Sequence, residues 1–133
     1  MQIGVQSGYI FLNDDFKEGL RMIRDAGFDS VDLNVDEQLD VGKLIRMGEN
    51  PFFSQDTAAV VAHYAPFKAA AYALGLRFGQ MHAPFPVYAD GKDDVNRALY
   101  DSVDKCMAVC EAIECPYLIV HPIKVDASQE EER

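Results

Sequence analysis

Apolar residues along this chain follow two alternating patterns, short continuous runs and longer stretches with a spacing of three or four positions. The runs Met1–Ser7, Asp29–Asn34, Leu76–His82 and Tyr117–His121 have the length and composition of strands. Each of them ends at a polar residue. The pattern therefore predicts four strands, each connected to the next by a segment long enough to contain a helix.

The first connecting segment predicts one helix between Asn13, which is suited to cap it, and Gly27, which is suited to end it. The last segment predicts a helix that begins at Asp93 or Asp94. Its apolar face is formed by Leu99, Val103, Cys106, Cys110 and Ile113.

The middle connection is longer and less regular. From Val35 to Gln55 it exceeds the usual length of a connection, which predicts either a functional loop or a short helix near Leu44–Met47. A helical region then opens at Asp56 or Thr57 and ends at Gly75. Because proline lacks an amide proton, Pro66 predicts a division of this region into two helices or a new first turn.

Strands that alternate with helices predict a mostly parallel sheet with right-handed crossovers. An open nucleotide-binding sheet would carry a glycine-rich loop after its first strand, but that position here holds only Gly8. We therefore expect an α/β (βα) barrel of TIM type. With about four strand–helix units, residues 1–133 would form a single domain, the N-terminal half of a (βα)8 barrel, either as a half barrel or as a truncated barrel.

Composition and charge narrow the class of protein. Of the 133 residues, 49% are hydrophobic and 26% are charged, which is ordinary for a globular domain. The net charge of −10 disfavours nucleic acids and anionic membrane surfaces as partners. The three bunched cysteines indicate small core residues in a reducing compartment, so we expect a cytoplasmic protein without a membrane span.

Candidate chemistry lies at the strand ends, where proteins of alternating strands and helices form their ligand sites. His82 and His121 each close a strand and stand just before a proline segment. Asp32 and Asn34 are two residues apart on the second strand, so their side chains point to the same side. We predict that these four residues bind substrate, with Asn34 near the mouth of the site and Asp32 one layer below. Asp32 could equally pair with a neighbouring cation or backbone group.

Three segments carry a resemblance to a known family. They are Gly27-Phe28-Asp29-Ser30-Val31-Asp32-Leu33, the stretch from Gly75-Leu76 through Met81-His82-Ala83-Pro84, and Leu118-Ile119-Val120-His121-Pro122. They resemble the second, third and fourth strands of the xylose isomerase-like barrel family of sugar phosphate isomerases and epimerases, which is related to the apurinic endonucleases. In the first segment Asp32 replaces the more usual glutamate, and the stretch from Val35 to Gln55 is longer than the family leads us to expect.

The resemblance implies a divalent-metal enzyme (Mn2+, Mg2+ or Zn2+) that moves a proton next to a carbonyl of a small sugar or hydroxy-keto acid. Its main metal carboxylates would lie beyond this chain, so the isolated chain is expected to be inactive and its catalytic residues are unassigned. Two alternatives stay open. One is a zinc-dependent apurinic endonuclease relative with His82 and His121 as metal ligands. The other is a non-catalytic half-barrel module that pairs with a second copy or with a C-terminal half.

Overall fold

The hydrophobic pattern folds as four strands alternating with helices in a computed structural model, which describes residues 2–11, 15–35, 40–48 and 50–122. The strands are β1 (Gly4–Gln6), β2 (Ser30–Asn34), β3 (Arg77–His82) and β4 (Leu118–Ile119). The helices are α1 (Phe16–Asp25), α2 (Val41–Met47), α3 (Thr57–Ala73) and α4 (Asp93–Ala112). The predicted α/β class with a parallel sheet is therefore confirmed.

The sheet has the strand order β1-β2-β3-β4, and every neighbouring pair is parallel. Because parallel crossovers are right-handed, strands added always in the same direction place their connecting helices on the same face of the sheet. Helix α3 accordingly packs against both α1 and α4. Strand side chains on this face, including Val31, Leu33, Phe78 and Met81, are buried in the core.

The opposite face of the sheet is polar, and no helix of the described residues covers it. Along β2 the buried residues Val31 and Leu33 alternate with the half-buried Ser30, Asp32 and Asn34. Only the apolar face of such a strand has to be removed from water, and the helices cover that face. The polar face of the sheet is therefore the one available for a binding site.

Strand β3 contains a bulge that determines the direction of its last side chains. Val31 pairs with Phe78, but the next residue of β2, Asp32, pairs with Gln80, so Gly79 is an extra residue. In regular alternation from Phe78, His82 would face the helices. The extra residue reverses the alternation after Phe78, so that Met81 is buried and His82 joins the polar face.

Aspartates cap three of the helices by accepting a hydrogen bond from the amide three residues later. Asp15 caps α1, Asp40 caps α2 and Asp56 caps α3, each with its Oδ1 within 3.1 Å of that nitrogen. The prediction that this helical region opens at Asp56 or Thr57 is confirmed. Asn13, the cap predicted for α1, lies outside the described residues. Helix α4 begins at Asp93 as predicted, with Asp93 and Asp94 favourably placed in its first turn.

Pro66 does not divide the second helical region, and that prediction is wrong. Helix α3 runs unbroken from Thr57 to Ala73 with Pro66 inside it. Pro66 and Ala62 are both exposed, so the Ala62 carbonyl, which lacks its usual amide partner, lies on the solvent side of the helix. Four buried residues on the other side hold the two halves of the helix together, namely Val60, Tyr64, Phe67 and Ala71.

Two further expectations concern lengths. The short helix predicted near Leu44–Met47 is present as α2. Strand β4 is shorter than the predicted run Tyr117–His121, because only Leu118 and Ile119 pair with β3.

Among the described residues, no helix is both long enough and apolar enough to cross a bilayer.

Helices α1, α3 and α4 end in the same way before their strands. After each helix one residue turns left-handed, and the amide of the next residue bonds to the carbonyl five positions earlier, which is a Schellman motif. These bonds join Phe28 to Ile23, Leu76 to Ala71 and Cys115 to Cys110. The left-handed residue is Gly27 after α1 and Gly75 after α3, as predicted, but it is Glu114 after α4.

Glu114 adopts a φ of 56°, a conformation that costs a residue with a side chain about 1–2 kcal/mol. Its carboxylate accepts hydrogen bonds from Lys68 Nζ at 2.8 Å and from the Tyr72 hydroxyl at 2.6 Å, both on α3. The Lys68 bond, followed by the Tyr72 bond, lowers the pKa of Glu114. These contacts hold α3 and the end of α4 together and offset the backbone strain.

We expect Glu114→Gln to lower the free energy of unfolding at neutral pH. Because the pKa of Glu114 is lowered in the folded state, its stabilisation is present above the ordinary glutamate pKa of about 4.3 and is lost as the pH falls through the folded value. Urea unfolding should therefore show a difference from wild type that shrinks on acidification. The control is Glu111→Gln, at an exposed position in the last turn of α4. A deficit that is unchanged in acid would contradict this role.

Gly19 should tolerate alanine poorly, because a Cβ there would meet the Phe11 ring and come within 3.0 Å of the Ile10 carbonyl oxygen. Gly19→Ala is expected to lose about 1–3 kcal/mol through overpacking, measured by urea unfolding. Gly42→Ala in α2 meets only the ends of the Arg46 and Asp40 side chains, so it should stay within about 1 kcal/mol of wild type. Equal stability of the two variants would refute the close packing of Phe11.

Candidate functional site

The candidate site lies on the polar face of the sheet, where β2, β3 and β4 end. Asp32 pairs in register with Gln80, and one level further along Asn34 pairs with His82 and His82 with Ile119. The carboxyl ends of parallel strands are where ligand sites form in such sheets.

Asp32 and His82 form the central pair of the site. Asp32 Oδ1 lies 2.8 Å from His82 Nδ1, and Asp32 Oδ2 accepts a hydrogen bond from Gln80 Nε2 at 2.9 Å. The side chains of Asp32 and His82 are only 15% and 21% exposed. A carboxylate oxygen can only accept, so this contact places a proton on Nδ1 and, in the neutral ring, leaves the lone pair on Nε2.

His121, two residues beyond β4, completes a row of rings. Its ring centroid lies 5.6 Å from that of His82, with the two planes 29° apart. The Phe85 ring meets His121 edge to face at 4.8 Å, and Phe85 itself is 58% exposed. The site therefore combines two imidazoles with an exposed aromatic surface beside them.

Ser7, at the end of β1, connects the first strand to the site and was not predicted. Its amide donates to the Asp32 carbonyl at 2.8 Å, and its buried hydroxyl oxygen accepts from the Asn34 amide at 2.9 Å. The Asn34 side chain lies over Gly8, where an added Cβ would come within 3.4 Å of its Nδ2. One sequence signal pointed to this role, namely that the first apolar run ends at a polar residue, Ser7.

Below the histidines the polar face forms an open depression with a volume of about 410 Å³. Asp32 and Gln80 line one end of this depression. From there it extends towards the start of the strands, past Gln6, Ser30 and Gly79. The two oxygens of Asp32 therefore stand between the strand-end imidazoles and this hollow.

The structure thus brings Asp32, His82 and His121 together, and places Asn34 in register beside His82. Gln80, on the neighbouring strand, contacts Asp32 directly. Phe11 is buried and packs edge to face on Phe67, so it does not line the site.

The resemblance implies a divalent metal, but the described residues do not by themselves provide a metal site. Within residues 2–11, 15–35, 40–48 and 50–122, no group of three or more histidine, cysteine or acidic side chains is arranged to hold a metal ion. A zinc site normally has at least three protein ligands, and hard cations require several oxygens. His82 and His121 could supply at most two imidazoles.

The fold and the site together define an α/β protein with a parallel sheet and a polar, histidine-bearing strand-end site. Comparison with protein-family models, with curated proteins and with solved structures found no match. Functional inference for this chain therefore depends on the geometry of its own residues.

We expect Asp32 to fix the tautomer of His82. Long-range proton–nitrogen NMR spectra of the imidazoles should show neutral His82 with its proton on Nδ1, and Asp32→Asn should reduce the population of this tautomer. Asp29→Asn, whose carboxylate instead accepts from the Ile3 amide, is the matched control and should leave His82 unchanged. A wild-type His82 that is protonated on Nε2 would contradict the hydrogen bond.

Proposed function

We propose that this chain is the first half of a (βα)8 barrel, with the polar face of its sheet as the barrel interior. The consecutive strand order supports this, because strands added always in one direction keep all helices outside and curve the sheet towards closure. The polar residues on the face of the sheet opposite the helices support it as well. In a doubly wound sheet the order reverses and helices cover both faces.

Within such a barrel we propose an isomerase or epimerase that acts on a small sugar or hydroxy-keto acid. The Asp32–His82 pair beside His121 at the strand ends is the observation that carries this proposal. Hydroxyl-rich substrates need donors and acceptors held at fixed positions, which imidazoles and the Asn34 amide provide. The depression below them can take a molecule of that size.

In this proposal His82 acts through Nε2. Its lone pair accepts the proton of a substrate hydroxyl, while Asp32 orients the ring through Nδ1 and stabilises the imidazolium that forms. This is the role of the carboxylate in other carboxylate–histidine pairs. His121 would bind a second substrate oxygen, and the exposed Phe85 ring would cover an apolar face of the sugar.

A divalent metal, when bound, would stabilise the negative charge that develops on the substrate oxygens during proton removal. Most of its ligands would come from strands outside residues 1–133, as the resemblance implies. We expect Mn2+, Mg2+ or Zn2+ in that position, where the described residues would supply only part of the ligand set.

The two alternatives remain predictions that no observation favours specifically. A zinc endonuclease would bring DNA to a protein of net charge −10, which repels phosphates. A half-barrel assembly module would pair with a second copy through the polar face, and sedimentation of the purified chain would reveal that pairing.

The test uses the product of the complete reading frame, incubated in heavy water with Mn2+, Mg2+ or Zn2+ and a panel of small ketoses, aldoses and their phosphates. NMR should show exchange of a carbon-bound proton next to the carbonyl of at least one compound. His82→Ala should lower kcat/KM for that compound about 100- to 10,000-fold, the usual contribution of an acid–base residue.

The matched control is His63→Ala. His63 is exposed on α3, where it contacts the Phe52, Tyr64 and Phe67 rings, away from the strand ends. It should leave the exchange rate unchanged, and residues 1–133 alone should show no exchange. Failure of every compound to exchange, or full activity of His82→Ala, would refute the proposal.

A further inference from the structure

Two cysteines meet at the junction between α4 and β4. In the Schellman motif that ends α4, the Cys115 amide donates to the Cys110 carbonyl oxygen at 2.8 Å. A contact between the side chains of the two bonded residues frequently accompanies this motif. At the equivalent positions after α1 and α3 the pairs are Ile23 with Phe28 and Ala71 with Leu76, so only the third junction carries two thiols.

The surroundings of these thiols are unusually rich in sulfur. Cys110 Sγ lies 3.5 Å from Met81 Sδ, and Cys115 Sγ lies 3.5 Å from the Tyr117 carbonyl oxygen. Each of the two cysteine residues is 7% exposed, and both are free thiols. A disulfide requires Cα atoms about 4.4–6.8 Å apart, and the backbone bond between the two residues holds them close together.

We propose that Cys110 and Cys115 form a redox-active dithiol, which a peroxide oxidises to a disulfide across the α4–β4 junction. This inference is independent of the proposed isomerase function. It requires neither a metal nor a sugar substrate.

The two thiols differ in reactivity, which assigns their roles. A hydrogen bond with Cys110 lowers the pKa of Cys115, against the opposing effect of burial, and the same bond raises the pKa of Cys110. In the proposed reaction Cys115 is accordingly the thiol that attacks the oxidant, and Cys110 is the thiol that closes the disulfide. Burial raises the pKa of Cys106 to about 12, which keeps this third thiol protonated and unreactive.

The chemistry balances with hydrogen peroxide as the oxidant. The Cys115 thiolate attacks one peroxide oxygen, the O–O bond breaks, and hydroxide leaves and takes a proton to become water, which gives a sulfenic acid. The Cys110 sulfur then attacks the Cys115 sulfur, the S–O bond breaks, and a second water leaves with the Cys110 proton. The protein loses two hydrogen atoms and two electrons, and peroxide is reduced to two waters.

Oxidation would also alter the start of β4. The Tyr117 carbonyl that accepts from the Cys115 thiol also accepts the Met81 amide at 2.9 Å, which is the first bond between β3 and the segment leading into β4. A disulfide removes the thiol donor from this carbonyl. The exchange of the Met81 amide with solvent is therefore a second readout of the redox state.

The test adds hydrogen peroxide in steps to the folded, fully reduced protein, then denatures it in an alkylating agent and measures the intact mass. We expect a product that lacks two hydrogen atoms, retains one alkylatable thiol and is reversed by a dithiol reductant. Cleavage after Glu111 and Glu114 separates Cys115 from the other two cysteines, so a disulfide to Cys115 joins two peptides. Cys106→Ala should react as wild type does, which identifies Cys110 as the partner.

Two conservative variants separate the roles of the thiols. Cys110→Ser should stop at a sulfenic acid on Cys115, which dimedone traps, and Cys115→Ser should form no disulfide within the chain. The proposal is overturned if all three thiols of folded wild type stay reduced until denaturant is added, which would make the cysteines a packing pair only. A link through Cys106, or links only between chains, would overturn it equally.

Discussion

The handedness of parallel crossovers is the constraint on which this structure depends. Four strands placed in consecutive order and joined by right-handed connections have to keep their helices together on one face. The apolar side of each strand then has one partner layer, and the other side is left to polar residues. The grouping of Asp32, Gln80 and His82 on one surface is a direct consequence of this topology.

The elements could be predicted from the sequence because they depend on local signals. Apolar periodicity predicted the strands and helices, Asp56 marked a helix start, and glycine marked the left-handed residue after α1 and α3. Where the same turn is made by Glu114, composition gave no signal. Its strain is offset by Lys68 and Tyr72, which lie more than forty positions away in the sequence and meet it only in the folded chain.

The contacts of the site were less predictable for the same reason. The sequence placed Asn34, His82 and His121 at strand ends with Asp32 one layer below. In the structure Asn34 and His82 end β2 and β3, Asp32 lies in the middle of β2, and His121 lies two residues beyond β4. The sequence could not show that Asp32 bonds His82 and Gln80 together, since that depends on the register between β2 and β3. At Pro66 a local signal gave a wrong prediction. The sequence favoured a break in the helix there, but the packing of the buried side of α3 outweighed that preference.

The extra residue at Gly79 divides β3 into two halves. Within each half alternate residues face opposite sides of the sheet, but the alternation does not continue from one half into the other. A relative that lacks this residue would have a regular strand and would still carry its imidazole on the polar face. Its alignment to this chain requires a single-residue gap at Gly79, because an ungapped alignment would place its histidine opposite the buried Met81.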